Sequence, residues 1–224
     1  SVSEFVLAGF NSLMALDPEG ARPFDRSRQG LSLGDAAAVM VLMDPAYARE
    51  QGATVLAEVA GWGLSDDANH ITGPSRDGSG LAGAIQGAIK TASISARDIG
   101  FISAHGTGTL YNDAMEMQAF KKIFSAPVAT YGIKGAIGHT LGAAGLIEIG
   151  LAAQALRQGV IPPTVGLSEP DPEAAGWVSS QPRQITGEYA LCVNAGFGGI
   201  NATVCLKGSV KSFMKDACKK ELAV

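Results

Sequence analysis

Apolar residues at Val2, Phe5, Val6, Phe10, Leu13 and Met14 recur at helical spacing and predict a helix over residues 1–16. A turn-rich stretch, ALDPEGARPFD, follows. Residues 31–43 (LSLGDAAAVMVLM) form a dense apolar run that predicts a strand, interrupted by small residues at 34–38. Residues 45–52, opened by Pro45, predict a short helix, and residues 54–61 (TVLAEVAG) a second strand. The two strands are expected to make a hairpin-like unit around that helix. From Trp62 to Gly80 the polar sequence GLSDDANHITGPSRDGSG predicts a long loop, of the kind that carries function or motion.

Beyond the loop the periods are cleaner. Residues 81–92 read as an amphipathic helix, Ser95 as the cap of a short turn into Asp98, and residues 99–104 as a buried strand. After a loop to Asn112, a helix over 113–124 sets Ala114, Met117, Phe120 and Ile123 on one face. Residues 128–132 predict a short strand, and residues 141–158 a helix apolar nearly all round, which belongs inside a large protein. IPPTVGLSEPDPEA is an extended connector. Residues 189–194 and 202–206 flank the glycine turn AGFGGIN as a closing hairpin, and residues 211–224 form a basic amphipathic tail. Strands alternating with helices predict a layered α/β fold.

Composition narrows the classes. A chain of 224 residues, 46% hydrophobic and 17% charged, can bury a substantial core. A net charge of −4 without a basic, aromatic-laced stripe gives no reason to invoke nucleic acid. Every apolar stretch is broken before the roughly 18 residues a membrane span needs, and residues 1–16 lack the basic leader of a signal peptide. Three widely spaced cysteines argue against a disulfide framework, so a cytoplasmic, reducing location is expected. The chain opens inside a helix-like segment without methionine, which suggests that it continues a larger structure. No dinucleotide or Walker fingerprint is present, and no metal site is expected.

Candidate chemistry concentrates between Ile99 and Gly145. His105 ends a strand and is followed by Gly106, while Lys134 stands five residues before His139 at the start of the apolar helix. Glu148, inside that helix, requires a cation nearby if it is buried. Cys192 and Cys205 lie in apolar strands and Cys218 in the tail; none has the small-residue elbow that exposes a nucleophile, so all three are expected to be structural.

These motifs carry a resemblance. RPFDRSRQGLSLGDAAA, SDDANHITGP, HGTGTLYND, KGAIGHTLGAAGLIE, IPPTVGLSEPDP and NAGFGGINA follow one another as in the C-terminal half of β-ketoacyl-acyl-carrier-protein synthases of type II fatty-acid and polyketide synthesis. The resemblance implies the thiolase-like αβαβα layered fold, here the C-terminal half plus the last elements of the N-terminal half. Residues 1–62 would end the N-terminal half, 63–207 form the C-terminal half, and 208–224 the basic tail.

It implies roles as well. His105 and His139 would donate hydrogen bonds to the enolate oxygen formed when malonyl-carrier protein loses CO2. Lys134 would pair with Glu148 and order the second histidine, and a direct catalytic role for it stays open. Asn112, Asp113 and Glu116 would order the histidine loop. Thr107 and Thr109 would bind the pantetheine arm, with Phe197 and Gly198 beside the acyl group and His70 and Thr72 near the entering substrate. Ala195 stands where many members have a second phenylalanine, which leaves the acyl pocket's shape open.

The family's nucleophilic cysteine lies upstream of the matched motifs. A partner carrying that cysteine is therefore expected, along with acyl carrier protein and a dimeric assembly. No cofactor is expected to be held permanently, the phosphopantetheine arm arriving as substrate carrier. Arg22, Arg26 and Arg28, or Lys121 and Lys122, are candidates for a basic surface toward an acidic carrier. Two other readings remain: a non-catalytic subunit like a chain-length factor, and a stand-alone carrier-binding module.

Overall fold

The computed structural model describes residues 2–208. The expected basic tail from residue 209 onward, with Cys218, lies outside the described residues. Helix α1 (Glu4–Ser12) starts at Ser3, whose hydroxyl accepts from Val6 N, and α2 (Pro45–Glu50) starts at Asp44, whose carboxylate accepts from Ala46 and Tyr47. Strand β1 (Glu58–Asp66) leads through a loop to α3 (Ser79–Thr91). A single tight turn at Ala96–Asp98, boxed by Ser95 and Asp98 as the sequence suggests, feeds β2 (Ile99–Ser103). Then come α4 (Leu110–Ile123), β3 (Ala129–Tyr131), the one-turn α5 (Lys134–Ile137) and α6 (Ala144–Gln158). Short strands β4 (Val160–Ile161) and β5 (Arg183–Gln184) pair with each other, and β6 (Tyr189–Ala195) and β7 (Ile200–Lys207) close the fold.

The main sheet runs β1-β7-β6-β2-β3, with β1, β7 and β6 antiparallel in turn and β6, β2 and β3 parallel. Alternation along the strands builds two cores. Ile102, Leu191, Val193 and Cys205 face one way, toward Leu81, Ile85, Met115 and Phe120 of α3 and α4. Phe101, Ala190, Cys192 and Leu206 face the other way, toward Ala152, Ala155 and Leu156 of α6. Strand β1 lies so close on α3 that a Cβ at Gly63 would fall 2.0 Å from the Ala84 carbonyl oxygen. Only glycine fits there.

Three expectations change. Residues 34–43 form no strand; two isolated bridges, Leu16 to Leu31 and Leu33 to His139, are all that residues 31–43 contribute to pairing. Val39 is 95% and Leu42 74% exposed, so among the described residues nothing covers this run. The expected hairpin with residues 54–61 does not form either, because β1 pairs with β7 instead. That strand is displaced toward the C-terminus and takes in Trp62–Asp66, the first part of the expected loop, because Gly61 and Gly63 face α3 while Trp62 and Leu64 point outward. The apolar positions of α1 are also largely uncovered: the helix has no fully buried residue, and Phe5 is 87% exposed.

Candidate active site

Parallel strands β2 and β3 are neighbours, so the residues that follow their C-terminal ends are brought together. His105 follows β2 and Lys134 follows β3. Both are buried, Lys134 at 1% exposure. The ammonium of Lys134 meets three groups: Nδ1 of His105 at 3.2 Å, the His105 carbonyl oxygen, and Oε1 of Glu148 at 2.5 Å. Glu148, equally buried, comes from α6, and its other oxygen accepts from the side-chain amide of Asn194 at the end of β6, at 2.6 Å.

His139 reaches the same place by another route. Its ring stands edge-on to that of His105, with centroids 5.2 Å apart and planes at 82°. Its main chain is tied to the segment before the exposed run: His139 N donates to the Ser32 carbonyl at 2.6 Å, and Gly34 N donates to the His139 carbonyl at 3.1 Å. Its Nδ1 accepts from Leu141 N at 3.1 Å, so the neutral ring carries its proton on Nε2.

The loop that presents His105 is held from α4. One oxygen of the fully buried Glu116 accepts from His105 N and the other from Gly106 N, each at 2.7 Å, and Asn112 donates to the same carboxylate at 2.8 Å. Asp113 accepts from Gly108 N at 3.2 Å and from Phe24 N at 2.8 Å, which fastens the loop to the segment around residue 24. Thr107 and Thr109 share a hydroxyl–hydroxyl bond of 2.9 Å beside it.

Burial sets the electrostatics. It drives the His105 ring well below its ordinary pKa, and the Lys134 ammonium and His139 push the same way, against a smaller opposing effect of the Asn194 amide. Burial and then Lys134 bring His139 down to about 3. Both rings are therefore neutral at physiological pH. Burial raises the carboxyl of Glu148, with Lys134 and Asn194 opposing. Glu116 is pushed up to about 8 by burial and then by Asp113, against the backbone donors of the histidine loop. The arrangement offers two neutral N–H donors, held from behind by a buried ion pair, to an oxygen that gains negative charge.

The other sequence candidates lie elsewhere or do other work. His70 and Thr72 bond within their own loop, where His70 Nδ1 accepts from Thr72 N at 3.1 Å and from Gly73 N at 3.2 Å. That loop is joined to the glycine turn, since Gly198 N donates to the Ile71 carbonyl at 2.7 Å. Phe197 is half exposed and stacks on Phe10 of α1 with centroids 5.9 Å apart. Lys134 orders the first histidine, not the second as the resemblance implied, because β2 and β3 are adjacent whereas His139 is anchored to Ser32. The expected basic surface is neutralised: Arg22 pairs with Asp17, Arg26 with Glu169, buried Arg28 with Asp171, Lys121 with Glu173 and Lys122 with Asp77. Two contributors escaped the sequence reading, Asn194 and the Ser32–Gly34 clamp. A lone polar residue where β6 enters its glycine turn was the one available sign of the first.

Neither described cysteine can serve as a nucleophile in this site. Burial, followed by Glu148, pushes the Cys192 thiol far up, and burial takes Cys205 up to about 11.

Comparison with known proteins agrees with this geometry. The C-terminal domain family of the β-ketoacyl synthases matches residues 56–168, which hold both histidines, Lys134 and Glu148. This chain belongs to the β-ketoacyl synthase family. It is 38% identical over 212 residues to 3-oxoacyl-[acyl-carrier-protein] synthase 2 of Vibrio harveyi, an alignment that covers 90% of this chain and 51% of that protein. Among solved structures, the ishigamide ketosynthase/chain length factor superposes with a TM-score of 0.89 at 36% identity, covering 93% of this chain and 52% of that one. A type II polyketide acyl-carrier protein in complex with its ketosynthase, bound to the hexaketide, gives 0.88 at 28% identity, covering 93% and 54%. The chain thus spans about half the length of the ketosynthases it matches, and its mixed α/β layers are those of the ketosynthase fold.

Proposed function

We propose that these residues form the decarboxylating half of a 3-oxoacyl-acyl-carrier-protein synthase site. The observation that carries this reading is the pair of neutral imidazoles set edge to face at 5.2 Å, one with its proton fixed on Nε2. In the reaction, the C–C bond to the carboxylate of a malonyl thioester breaks, CO2 leaves, and the electron pair moves into the thioester as an enolate. His105 and His139 donate hydrogen bonds to the enolate oxygen. The carbon end then attacks an acyl group held as a cysteine thioester, forming the new C–C bond and expelling the thiolate. Aimed donors of this kind are worth roughly 3–4 kcal/mol each.

The cysteine comes from residues outside this chain, in this reading the N-terminal ketosynthase half. Support comes from the exposed apolar run at Val39, Val41 and Leu42 and from the unburied α1, faces of the kind that mark an interaction surface. Carrier protein delivers the malonyl group on its phosphopantetheine arm, past Thr107 and Thr109. The alternative of a non-catalytic partner subunit is weakened by the full set of His105, Lys134 and His139 in contact geometry.

The test is malonyl-carrier decarboxylation by the complete ketosynthase that contains this chain. His105→Ala is expected to lower the rate by about 100- to 1,000-fold. A rate unchanged from the parent protein rules the catalytic reading out and leaves the non-catalytic one.

A further inference from the structure

Phe24 is fully buried, yet its backbone adopts a conformation that large side chains avoid: its φ is 61°, in the left-handed region. Glycine would take that conformation at no steric cost, whereas a bulky residue there is strained. Neither main-chain group is free to relax it. Phe24 N donates to Oδ2 of Asp113 at 2.8 Å, and the Phe24 carbonyl accepts from Asp171 N at 2.8 Å. Strain of this kind persists where the surroundings over-determine it, and it collects at functional sites.

The ring shows what the strained backbone presents. A Cβ at Gly106 would fall 3.0 Å from Cε2 of the Phe24 ring, and one at Gly132 would fall 3.6 Å from the same atom. The Gly106 Cβ would also fall 3.4 Å from the Gly132 Cα, so the two segments pass each other at the ring's edge. Gly106 directly follows His105, and Gly132 stands two residues before Lys134. The side chains that these segments carry meet at 3.2 Å, Lys134 Nζ to His105 Nδ1. The main-chain ladder between β2 and β3 ends just before this point, at the bond from Ala104 N to the Tyr131 carbonyl. Beyond it, among the described residues, no main-chain bond joins the two segments, and the glycines have no side chains to hold them apart.

We propose that Phe24 is a positioning residue: its ring edge takes over where the strand ladder stops, sets the separation of the histidine loop from the lysine segment, and so aims the His105 ring. The inference rests on the ketosynthase reading of the site. Asp113 ties the parts together, because the carboxylate that accepts from Phe24 N also accepts from Gly108 N of the histidine loop. A shorter side chain at position 24 leaves those bonds in place and removes only the spacer, so the two segments can close on each other and turn the imidazole.

The experiment compares Phe24→Leu with Phe120→Leu in the complete ketosynthase, with His105→Ala measured alongside. Phe120 is also fully buried but stacks on Trp177 in the core. Both leucine variants should melt below the parent. Phe24→Leu is expected to lose about 10- to 100-fold in kcat for malonyl-carrier decarboxylation with little change in KM, and to shift the His105 ring resonance. Phe120→Leu should keep the parent kcat and leave that resonance unmoved. Gly132→Ala presses on the same contact from the lysine side, since its Cβ would also fall 3.1 Å from Pro23 Cβ. It should lose several-fold in kcat and move the His105 resonance, and it decides the matter if Phe24→Leu fails to fold. Parent-like kcat with an unmoved resonance in folded Phe24→Leu, or in Gly132→Ala where the leucine variant does not fold, overturns the proposal. An equal loss of kcat in Phe120→Leu overturns it too, because general loosening of the core would then account for the effect. A parent protein without decarboxylase activity, or a fully active His105→Ala, instead removes the ketosynthase reading and this inference with it.

Discussion

The main-chain amide of His139 donates to the carbonyl of Ser32 at 2.6 Å. The second histidine is therefore held by a segment far upstream, and the return bond from Gly34 makes the clamp two-sided. A Cβ at Gly34 would fall 2.0 Å from the Ile137 carbonyl oxygen, two residues before the histidine. Gly34→Ala is expected to push the two segments apart and misplace the His139 donor. Decarboxylation should fall by at least tenfold while the melting temperature drops only a few degrees. A parent-like rate would show that the clamp does not govern the ring.

The Lys134–Glu148 pair is expected to be costly to break from one side. Lys134→Met leaves Glu148 buried without its cation, which destabilises by about 3–5 kcal/mol. Removing both charges, with Lys134→Met and Glu148→Met together, should recover a large part of that loss while activity stays low. Denaturant melts of the two variants check the order: the double variant should be the more stable.

The pH dependence follows from the two lowered histidines. Because His139 titrates at about 3 and His105 well below its ordinary value, both N–H donors stay neutral as the pH falls through 6.5. The parent kcat for decarboxylation should show no histidine inflection between about pH 5 and 8. For stability the sign is the usual one for a buried neutral histidine. The contribution is intact above about 6.5, the unfolded value, and is lost as the pH falls toward about 3, because the unfolded chain takes up protons that the folded site refuses. Melting curves between pH 7 and 4 should accordingly be less steep in pH for His139→Gln than for the parent.

The Glu116 cradle supports the other histidine. Glu116→Ala strips partners from the buried amides of His105 and Gly106 and from Asn112. Each orphaned buried donor costs about 1–3 kcal/mol. A lowered melting temperature together with lost decarboxylation is expected, whereas Glu173→Ala, at an exposed ion pair, should change stability by less than about 1 kcal/mol.

Much of this arrangement was legible in the sequence, for local reasons. Strands β2, β3, β6 and β7 are short apolar runs whose ends fall within a few residues of the expected ones, and His105, Lys134, His139 and Glu148 stand out as polar groups in apolar or glycine-rich settings. What misled was context. Residues 34–43 have strand composition but no partner among the described residues, and β1 conceals its period by turning glycines inward and tryptophan outward. Arg28 looked like surface charge because nothing local shows that Asp171, far along the chain, folds back onto it. The resemblance gives Lys134 to the second histidine, yet strand adjacency delivers it to the first. Asn194 meets its partner Glu148 only once β6 packs on α6.

The pairing of β1 with β7 has a consequence for how the chain is made. On the ribosome, β1 emerges well before β7, so its hydrogen-bonding partner does not yet exist. Its backbone edge is unpaired throughout that interval. Such long-range closure is slow, and waiting edges invite association with other chains. Nascent-chain truncations that stop before Ile200 should accordingly bind holdase chaperones, and those that extend past Lys207 should release them, so β7 also acts as the signal that β1 is safe.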